Sequence, residues 1–423
     1  MALCAAATLP TQAVSAVPSA PRGYAFAPDA LDVPAATGTT DAALLVPGKT
    51  FKSTLRSGTA YFRLELGATE NAYVSATAVP GPGATLSPTD RLQVSLQDAD
   101  GVSCSPLDSA TFGAARSPHP VAVWGMREVS SSGSSRCQGE GTYYVVVERT
   151  DTAVSASDVW DLELAPVTEP GLTSSEATEA PGEWDSASPE PPTGRTGRRA
   201  GGEGFATATA IGHGAWSTEI APGQTIFYKV PVDWGQQLHA TAELDSAAAP
   251  DGSGFSIGAL DISLYNPARG PVEERSVSYN GRQKSAAIGP LPPVDHANRH
   301  AVAGEVSGMR FAGSYYLAVH LASRVADDFG DGPFGLTLRV GVEGAAQDGP
   351  GYAGEPVPEG LFEVVAGGGS GAVGGSGDGG GAEGDGGGVA MTVLAVGGIG
   401  GGTLLLGGLG VWTVTARRRG ASA

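Results

Sequence analysis

Two stretches of this 423-residue chain, 24–166 and 204–345, carry the same succession of short segments in the same order. The first has Tyr61-Phe62-Arg63-Leu64-Glu65-Leu66 after a Ser57-Gly58 turn, and the second has Phe227-Tyr228-Lys229-Val230-Pro231-Val232 after Pro222-Gly223. Ala72 to Ala78 matches Gln237 to Leu244, and Leu92 to Gly101 matches Leu260 to Pro267. Gly141-Thr142-Tyr143-Tyr144-Val145-Val146-Val147 matches Gly313-Ser314-Tyr315-Tyr316-Leu317-Ala318-Val319. Each stretch closes on an alternating segment, Trp160 to Leu164 or Phe334 to Val340. Repetition on this scale points to one structural unit used twice.

Apolar and polar residues alternate with period two in every one of these segments. Side chains on a strand point alternately to opposite faces, so this is the pattern of half-buried strands. No window of twelve residues in either stretch carries a helical stripe. The fold class is therefore all-β, with two tandem antiparallel β-sandwich (jelly-roll-like) domains over 24–166 and 204–345. Each is long enough for its own core.

At these residues the chain resembles the bacterial pre-peptidase C-terminal domain family. The carriers are the aromatic strands at Tyr61-Phe62 and Phe227-Tyr228, the strands ending in Asp or Asn turns at 92–101 and 260–267, and the late Tyr-Tyr strands. The resemblance implies a small β-sandwich accessory domain, present twice, of a kind attached to secreted enzymes and surface proteins and not itself catalytic. Long inserts at 102–140 and 266–312 depart from the family pattern, as does the lack of an attached protease domain. The chain is also similar in layout to duplicated ectodomains of actinobacterial membrane-anchored surface proteins.

The ends set an expected topology. Residues 389–416 carry no charge and exceed the ~20 residues that cross a bilayer, and Arg417, Arg418 and Arg419 follow. Basic residues flanking a span stay on the cytoplasmic side. This reading makes 389–416 a transmembrane helix with the lipid bilayer as its partner, 417–423 a cytoplasmic tail, and the bulk of the chain extracellular. Residues 1–20 read as the remnant of a secretory signal segment, a short apolar stretch followed by small residues. Residues 167–203 mix Pro, Ser and Glu without apolar periodicity and read as a disordered linker. Residues 346–388 read as a Gly-rich stalk.

Of three cysteines, Cys4 falls in the signal segment. Cys104 and Cys137, 33 residues apart, are the expected disulfide of an exported chain. Closing such a loop contributes ~3–4 kcal/mol in the chain-entropy description.

Little in the sequence points to catalysis or metal binding. Gly254-Phe255-Ser256-Ile257-Gly258 has the spacing of a nucleophile elbow, but that motif requires a strand before the serine and a helix after it. Here a loop precedes and a strand follows, so Ser256 reads as a strand-entry turn. His296 and His300, beside Asp295, have the spacing of two zinc ligands on a helix but lack the glutamate between them, and read as a surface loop. Asp98, Asp100 and the Asp327-Asp328-Phe329-Gly330-Asp331-Gly332 run offer oxygen ligands for calcium, yet Asp and Gly are also what turns prefer. Tyr143-Tyr144 and Tyr315-Tyr316 each place one ring in the core and one outside. Trp216 and Trp234 read as packing residues. No catalytic residue, cofactor or metal is expected. The net charge of −19 disfavours nucleic acid as a partner. The expected role is a non-catalytic cell-surface interaction or accessory protein, with an envelope protein or wall polymer as partner. A cell-wall glycan-binding module is the first alternative and a secreted hydrolase the second.

Overall fold

The computed structural model describes residues 23–364, apart from 130–135, 153–157, 175–176, 188 and 251. The first half contributes ten strands: β1 (Leu31–Asp32), β2 (Ala43–Leu44), β3 (Phe51–Leu55), β4 (Gly58–Leu66), β5 (Asn71–Val79), β6 (Arg91–Gln97), β7 (Asp108–Thr111), β8 (Val121–Arg127), β9 (Gly141–Thr150) and β10 (Trp160–Glu169). The second contributes ten more: β11 (Gly197–Arg198), β12 (Thr209–Ala210), β13 (Gly214–Ile220), β14 (Thr225–Val232), β15 (Gln237–Leu244), β16 (Ser256–Tyr265), β17 (Pro271–Tyr279), β18 (Lys284–Ala287), β19 (Gly313–Leu321) and β20 (Phe334–Glu343).

The strands form four five-stranded sheets, with orders β1-β3-β10-β5-β8 and β2-β4-β9-β6-β7 in the first half. The second half has β11-β13-β20-β15-β18 and β12-β14-β19-β16-β17, so every strand keeps its place when its number rises by ten. Register is kept as well. Arg63 lies opposite Tyr144 and Lys229 opposite Tyr316, while Trp160 lies opposite Leu55 and Phe334 opposite Ile220. The repeat read in the sequence is thus a repeat of fold, residue for residue along the central strands.

The sheets are mixed, not wholly antiparallel. The short pairs β1–β3, β2–β4, β11–β13 and β12–β14 run parallel, and every other paired strand is antiparallel. The parallel strands come from segments too short to show a pattern in the sequence.

Each sandwich closes on its own core. Phe62, Leu64, Val94, Leu96, Val145, Val147, Trp160 and Leu162 fill the first, and Tyr228, Val230, Ile262, Leu264, Leu317, Val319, Leu336 and Leu338 fill the second. At ~25 cal/mol per Å² of apolar area removed from water, these interiors are the main stabilising term.

The inserts differ between the halves. In the first, Cys104–Cys137 is a disulfide with its Cα atoms 5.3 Å apart. Beside it the buried Arg127 guanidinium donates to the carbonyls of Cys137, Gly67, Glu70 and Gly139 and lies over the Tyr143 ring. In the second, the insert carries a 3₁₀ turn, His296–His300, and helix α1 (Gly304–Ser307), and α2 (Val325–Phe329) follows β19. No helix among the described residues is long and apolar enough to cross a membrane, and the expected span 389–416 lies outside them, as do residues 1–20 and Arg417 to Arg419.

Two segments read as unstructured contribute to the fold. Within 167–203, Val167 to Glu169 complete β10, Gly197–Arg198 form β11, and the Arg199 carbonyl accepts from the Tyr228 hydroxyl. Within 346–364, Tyr352 pairs with Leu172, Val357 pairs with Thr168, and Phe362 is buried against Phe311. These stretches are ordered by backbone pairing to strands already in place and by a few isolated aromatic residues, neither of which produces periodicity.

Candidate functional site

The outward face of the β2-β4-β9-β6-β7 sheet and that of its counterpart in the second half are built from matching rows. One row is Leu44–Arg63–Tyr144–Gln97 in the first half and Ala210–Lys229–Tyr316–Tyr265 in the second. The next is Tyr61–Val146–Ser95 against Phe227–Ala318–Ser263, and a third is Thr59–Glu148–Gln93 against Thr225–His320–Asp261. Residues opposite each other on paired strands project to the same side.

In the second half this face is covered by that half's own Phe205 and, beyond it, by Tyr24 and Ala122 of the first half. Phe227, Tyr265 and Ala318 are buried there with Ala122 and with Phe205, whose ring lies 5.2 Å from Tyr316. In the first half Val146 and Ser95 at the middle of the face are buried, and the residues around them remain a surface. Leu44, Glu65 and Glu148 are exposed, and Tyr61, Arg63, Tyr144, Gln93 and Gln97 are half-exposed. The Thr142 hydroxyl donates to Glu65, and Arg63 Nε stands 3.7 Å from the same carboxylate. Of the tyrosine pairs, Tyr143 and Tyr315 are core residues, Tyr316 is at the seam, and Tyr144 is left presenting its ring on an open sheet.

The seam that does the covering uses the other sheet of the first half. Tyr73, Trp124 and Val167 pack with Ala268, Phe311 and Phe362. Gly270 lies so close to the Trp124 indole that a Cβ there would come within 2.4 Å of it. Three carboxylates of the first half face three arginines of the second: Glu163 with Arg269 at 2.6 Å, Glu169 with Arg299 at 2.6 Å, and Glu128 with Arg310. Glu169 is fully buried. It also accepts from Asn71 Nδ2 at 2.8 Å and from the hydroxyls of Tyr73 and Tyr352 at 2.9 Å each, with His296 Nε2 at 3.3 Å. Burial acts to raise this carboxyl, but the charge of Arg299 and the hydrogen bonds from His296 and Arg299 outweigh it and hold it well below the usual range.

At another point of the seam, the rings of His119 and His320 stack with centroids 4.5 Å apart. His320 Nε2 is 2.9 Å from Ser117 Oγ, which also accepts from the Ser323 amide. Burial pushes His119 below its ordinary value. Burial together with the charge of His119 pushes His320 well below it.

The residues singled out from sequence are placed as follows. Ser256 opens β16 and is buried, its hydroxyl without a partner among the described residues and no helix after it, while Phe255 and Ile257 on either side are exposed. His296 is not in a surface loop: it sits in the 3₁₀ turn and reaches Glu169, whereas His300 is exposed. Asp98 Oδ1 accepts from the amides of Asp100 and Val102, the bonding of a turn. Asp327 and Asp328 lie in α2. No cluster of metal-ligating side chains occurs among the described residues. Trp216 donates to the Gly212 carbonyl, and Trp234 is buried on the wall of a cleft of about 500 Å³ that Tyr352, Phe362, Asp348 and Glu355 also line.

Sequence reasoning missed Glu163, Glu169, Arg269 and Arg299. Glu163 alternates with Leu162 and Leu164 and so reads as solvent-facing, whereas Glu169 falls in the stretch read as a linker and Arg269 and Arg299 in the 266–312 insert, and no local signal marks any of them as covered.

No family model matches the chain, and no curated protein matches it. Solved structures match at low similarity. The tandem CBM22-1-CBM22-2 domain of Xyn10C from Paenibacillus barcinonensis is 12% identical over 74% of this chain and 95% of its own, with a TM-score of 0.19. The CUB1-EGF-CUB2 domain of human MASP-1/3 is 8% identical over 69% and 99%, with a TM-score of 0.17. The ANXUR2 extracellular domain from Arabidopsis thaliana is 10% identical over 71% and 86%, with a TM-score of 0.17. Similarity at this level carries no inference of function.

Proposed function

We propose that the protein is a non-catalytic, extracellular interaction or accessory module that presents the open sheet face of its first sandwich to an envelope partner. One observation carries this reading. Two equivalent sheet faces exist in the chain, one already receives a protein surface, and the other is left open with Leu44, Tyr61, Arg63 and Tyr144 on it. A flat face with half-exposed tyrosines and a mixed-charge rim has the make-up of a protein-recognition surface. The seam supports a presenting role. Two sandwiches joined by buried ion pairs form one compact unit that carries the site.

The disulfide agrees with an oxidising compartment. In this reading the span 389–416 anchors the protein in the cell membrane, with Arg417 to Arg419 inside. The sandwiches are then accessory domains of the pre-peptidase C-terminal type.

The test is a crosslinking pull-down from intact cells with the full chain and its Tyr61→Ala/Tyr144→Ala double variant. One stoichiometric protein partner, recovered with the first and lost with the second, supports the reading. Equal recovery with both removes the open face from the site.

A glycan-binding role is the second reading. It draws on the cleft beside Trp234, Tyr352 and Phe362, because aromatic walls with carboxylates suit a sugar ring. Saturable quenching of tryptophan fluorescence by solubilised wall polysaccharide, abolished in Trp234→Phe, would favour it over the first.

A further inference from the structure

The only stacked pair of histidines among the described residues bridges the two halves: His119 belongs to the loop before β8, His320 to β19. Every ring nitrogen with a partner there is bonded to a neutral group. His119 Nδ1 is 2.7 Å from the Ser117 carbonyl, and His320 Nδ1 is 3.0 Å from Thr225 Oγ1 and 3.1 Å from the Gln224 carbonyl. With Nδ1–H of His320 donating to Gln224, Nε2 of the neutral ring is an acceptor 2.9 Å from Ser117 Oγ, which also lies 3.4 Å from Ser323 Oγ and accepts from the Ser323 amide. One neutral imidazole therefore completes a chain of bonds that ties the 113–120 loop to the second half.

We infer that this contact is an acid-sensitive latch: protonation of the His119–His320 stack releases the Ser117–His119 loop from the second half while the ion-paired part of the seam stays closed. Two imidazolium rings cannot share a face-to-face stack at 4.5 Å without strong repulsion. The titratable groups around the pair do not relieve it. Asp261, opposite His320 on β16, is hydrogen-bonded to Ser276 and faces Glu274, both of β17. Glu203 borders one of the two clefts that His119 lines, and Glu273 and Glu274 border the other. The charge that acts on His320 is that of His119, and it acts to lower it.

The sign follows from linkage. Both groups have folded values depressed below the ordinary ~6.5, so the released loop binds more protons than the docked one. Docking is complete above that value and is lost as pH falls below it. Two protons taken up on release allow the opening equilibrium to rise by as much as ~100-fold per pH unit. Carboxylates held low, such as Glu169, weaken the seam only at still lower pH.

Amide hydrogen exchange of the full chain in detergent micelles tests the latch. The Ser323 amide reports on Ser117, and the Thr168 amide, next to Glu169 in the chain and bonded to the Val357 carbonyl of the C-terminal segment, reports on the surroundings of the ion-paired part of the seam. After division by the chemical exchange rate, protection at Ser323 is expected to fall at least ~10-fold from pH 7.5 to pH 5.5, with Thr168 unchanged within ~3-fold. His119→Phe, which keeps a ring in the stack but cannot be charged, should lessen the fall at Ser323. Unchanged protection at Ser323, or an equal loss at both amides, overturns the inference. Should that variant not fold, the C2 protons of the wild-type histidines decide. Titration of both below ~6.5 supports the latch, and titration at the ordinary value overturns it.

Discussion

The two sandwiches share strand order and register, yet they meet their surroundings differently. In β5 and β10 of the first half almost every residue is buried, on both faces, whereas β15 and β20 alternate as half-exposed strands do. The reverse holds for the other sheet, which is covered in the second half and open in the first. Docking is head to tail: one type of sheet face on the first half meets the other type on the second. Such a heterologous arrangement leaves one face of each type unused. On the second half the leftover face carries the Glu243–Arg339 pair at 2.9 Å, and the Pro192 and Asp185 carbonyls of the connecting segment accept from Arg339 and Gln237. On the first half it carries Tyr61, Arg63 and Tyr144. Duplication thus yields two copies of a fold and only one free copy of a surface.

The largest expected break in this comparison is at Glu169. Its counterpart by register is Glu343, since Glu169 lies opposite Asn71 and Glu343 opposite Gln237. Glu169→Gln takes from the buried Arg299 the carboxylate 2.6 Å away and should cost about 3–5 kcal/mol in chemical denaturation, against less than ~0.5 kcal/mol for the exposed Glu343→Gln. Equal effects would mean that the seam contributes nothing to stability.

The disulfide comes next. Cys104→Ala/Cys137→Ala should lower the unfolding midpoint of the first half by the equivalent of ~2–4 kcal/mol and leave the second untouched, as read by residue-resolved hydrogen exchange. A uniform loss across both halves would show that they unfold as one unit.

Asp261 sharpens the contrast further, because its counterpart in the first half is the uncharged Gln93. Burial pushes Asp261 up to about 7, helped by Glu274 and opposed by the Ser276 hydrogen bond. A raised folded value means that the native state holds the proton, so stability falls as pH rises from about 4 towards 7, by at most ~1.4 kcal/mol per unit. Asp261→Asn should flatten that slope and stabilise the protein at pH 8. A thermal denaturation series over pH 4–8 reads it, and an unaltered slope would place the ionisation elsewhere.

The smallest effect on stability is expected at Tyr144. Tyr144→Ala on the open face should cost less than ~1 kcal/mol, whereas Tyr316→Ala, which empties contacts with Phe205, should cost ~2 kcal/mol or more in denaturant titrations. If the two cost the same, the open face is packed against something in the native protein.

Much of the architecture was legible in sequence because it is local. Period-two alternation identified the central strands, the aromatic and Tyr-Tyr segments aligned the repeat, and the pair Cys104–Cys137 announced the disulfide. The short parallel strands at Leu31, Ala43, Gly197 and Thr209 were not legible, because two residues carry no periodicity. Nor was the packing of 346–364, which depends on Tyr352 and Phe362 finding pockets made by residues far away in sequence.

What the sequence determines by itself is the unit and its duplication, since strand alternation and core composition are properties of neighbouring residues. Which face of each unit is a surface was decided only by the tertiary structure. Tyr144 and Tyr316 occupy the same place in the same motif and are both half-buried, yet only Tyr316 packs on the cluster of Phe205 and Ala122 that joins the halves. Glu163 alternates with Leu162 and Leu164 as a solvent-facing carboxylate does and Glu169 stands in a stretch without apolar periodicity, yet both are buried beside arginines more than a hundred residues away. Burial of an outer face is set by what docks on it, and docking joins residues whose separation along the chain leaves no periodic trace.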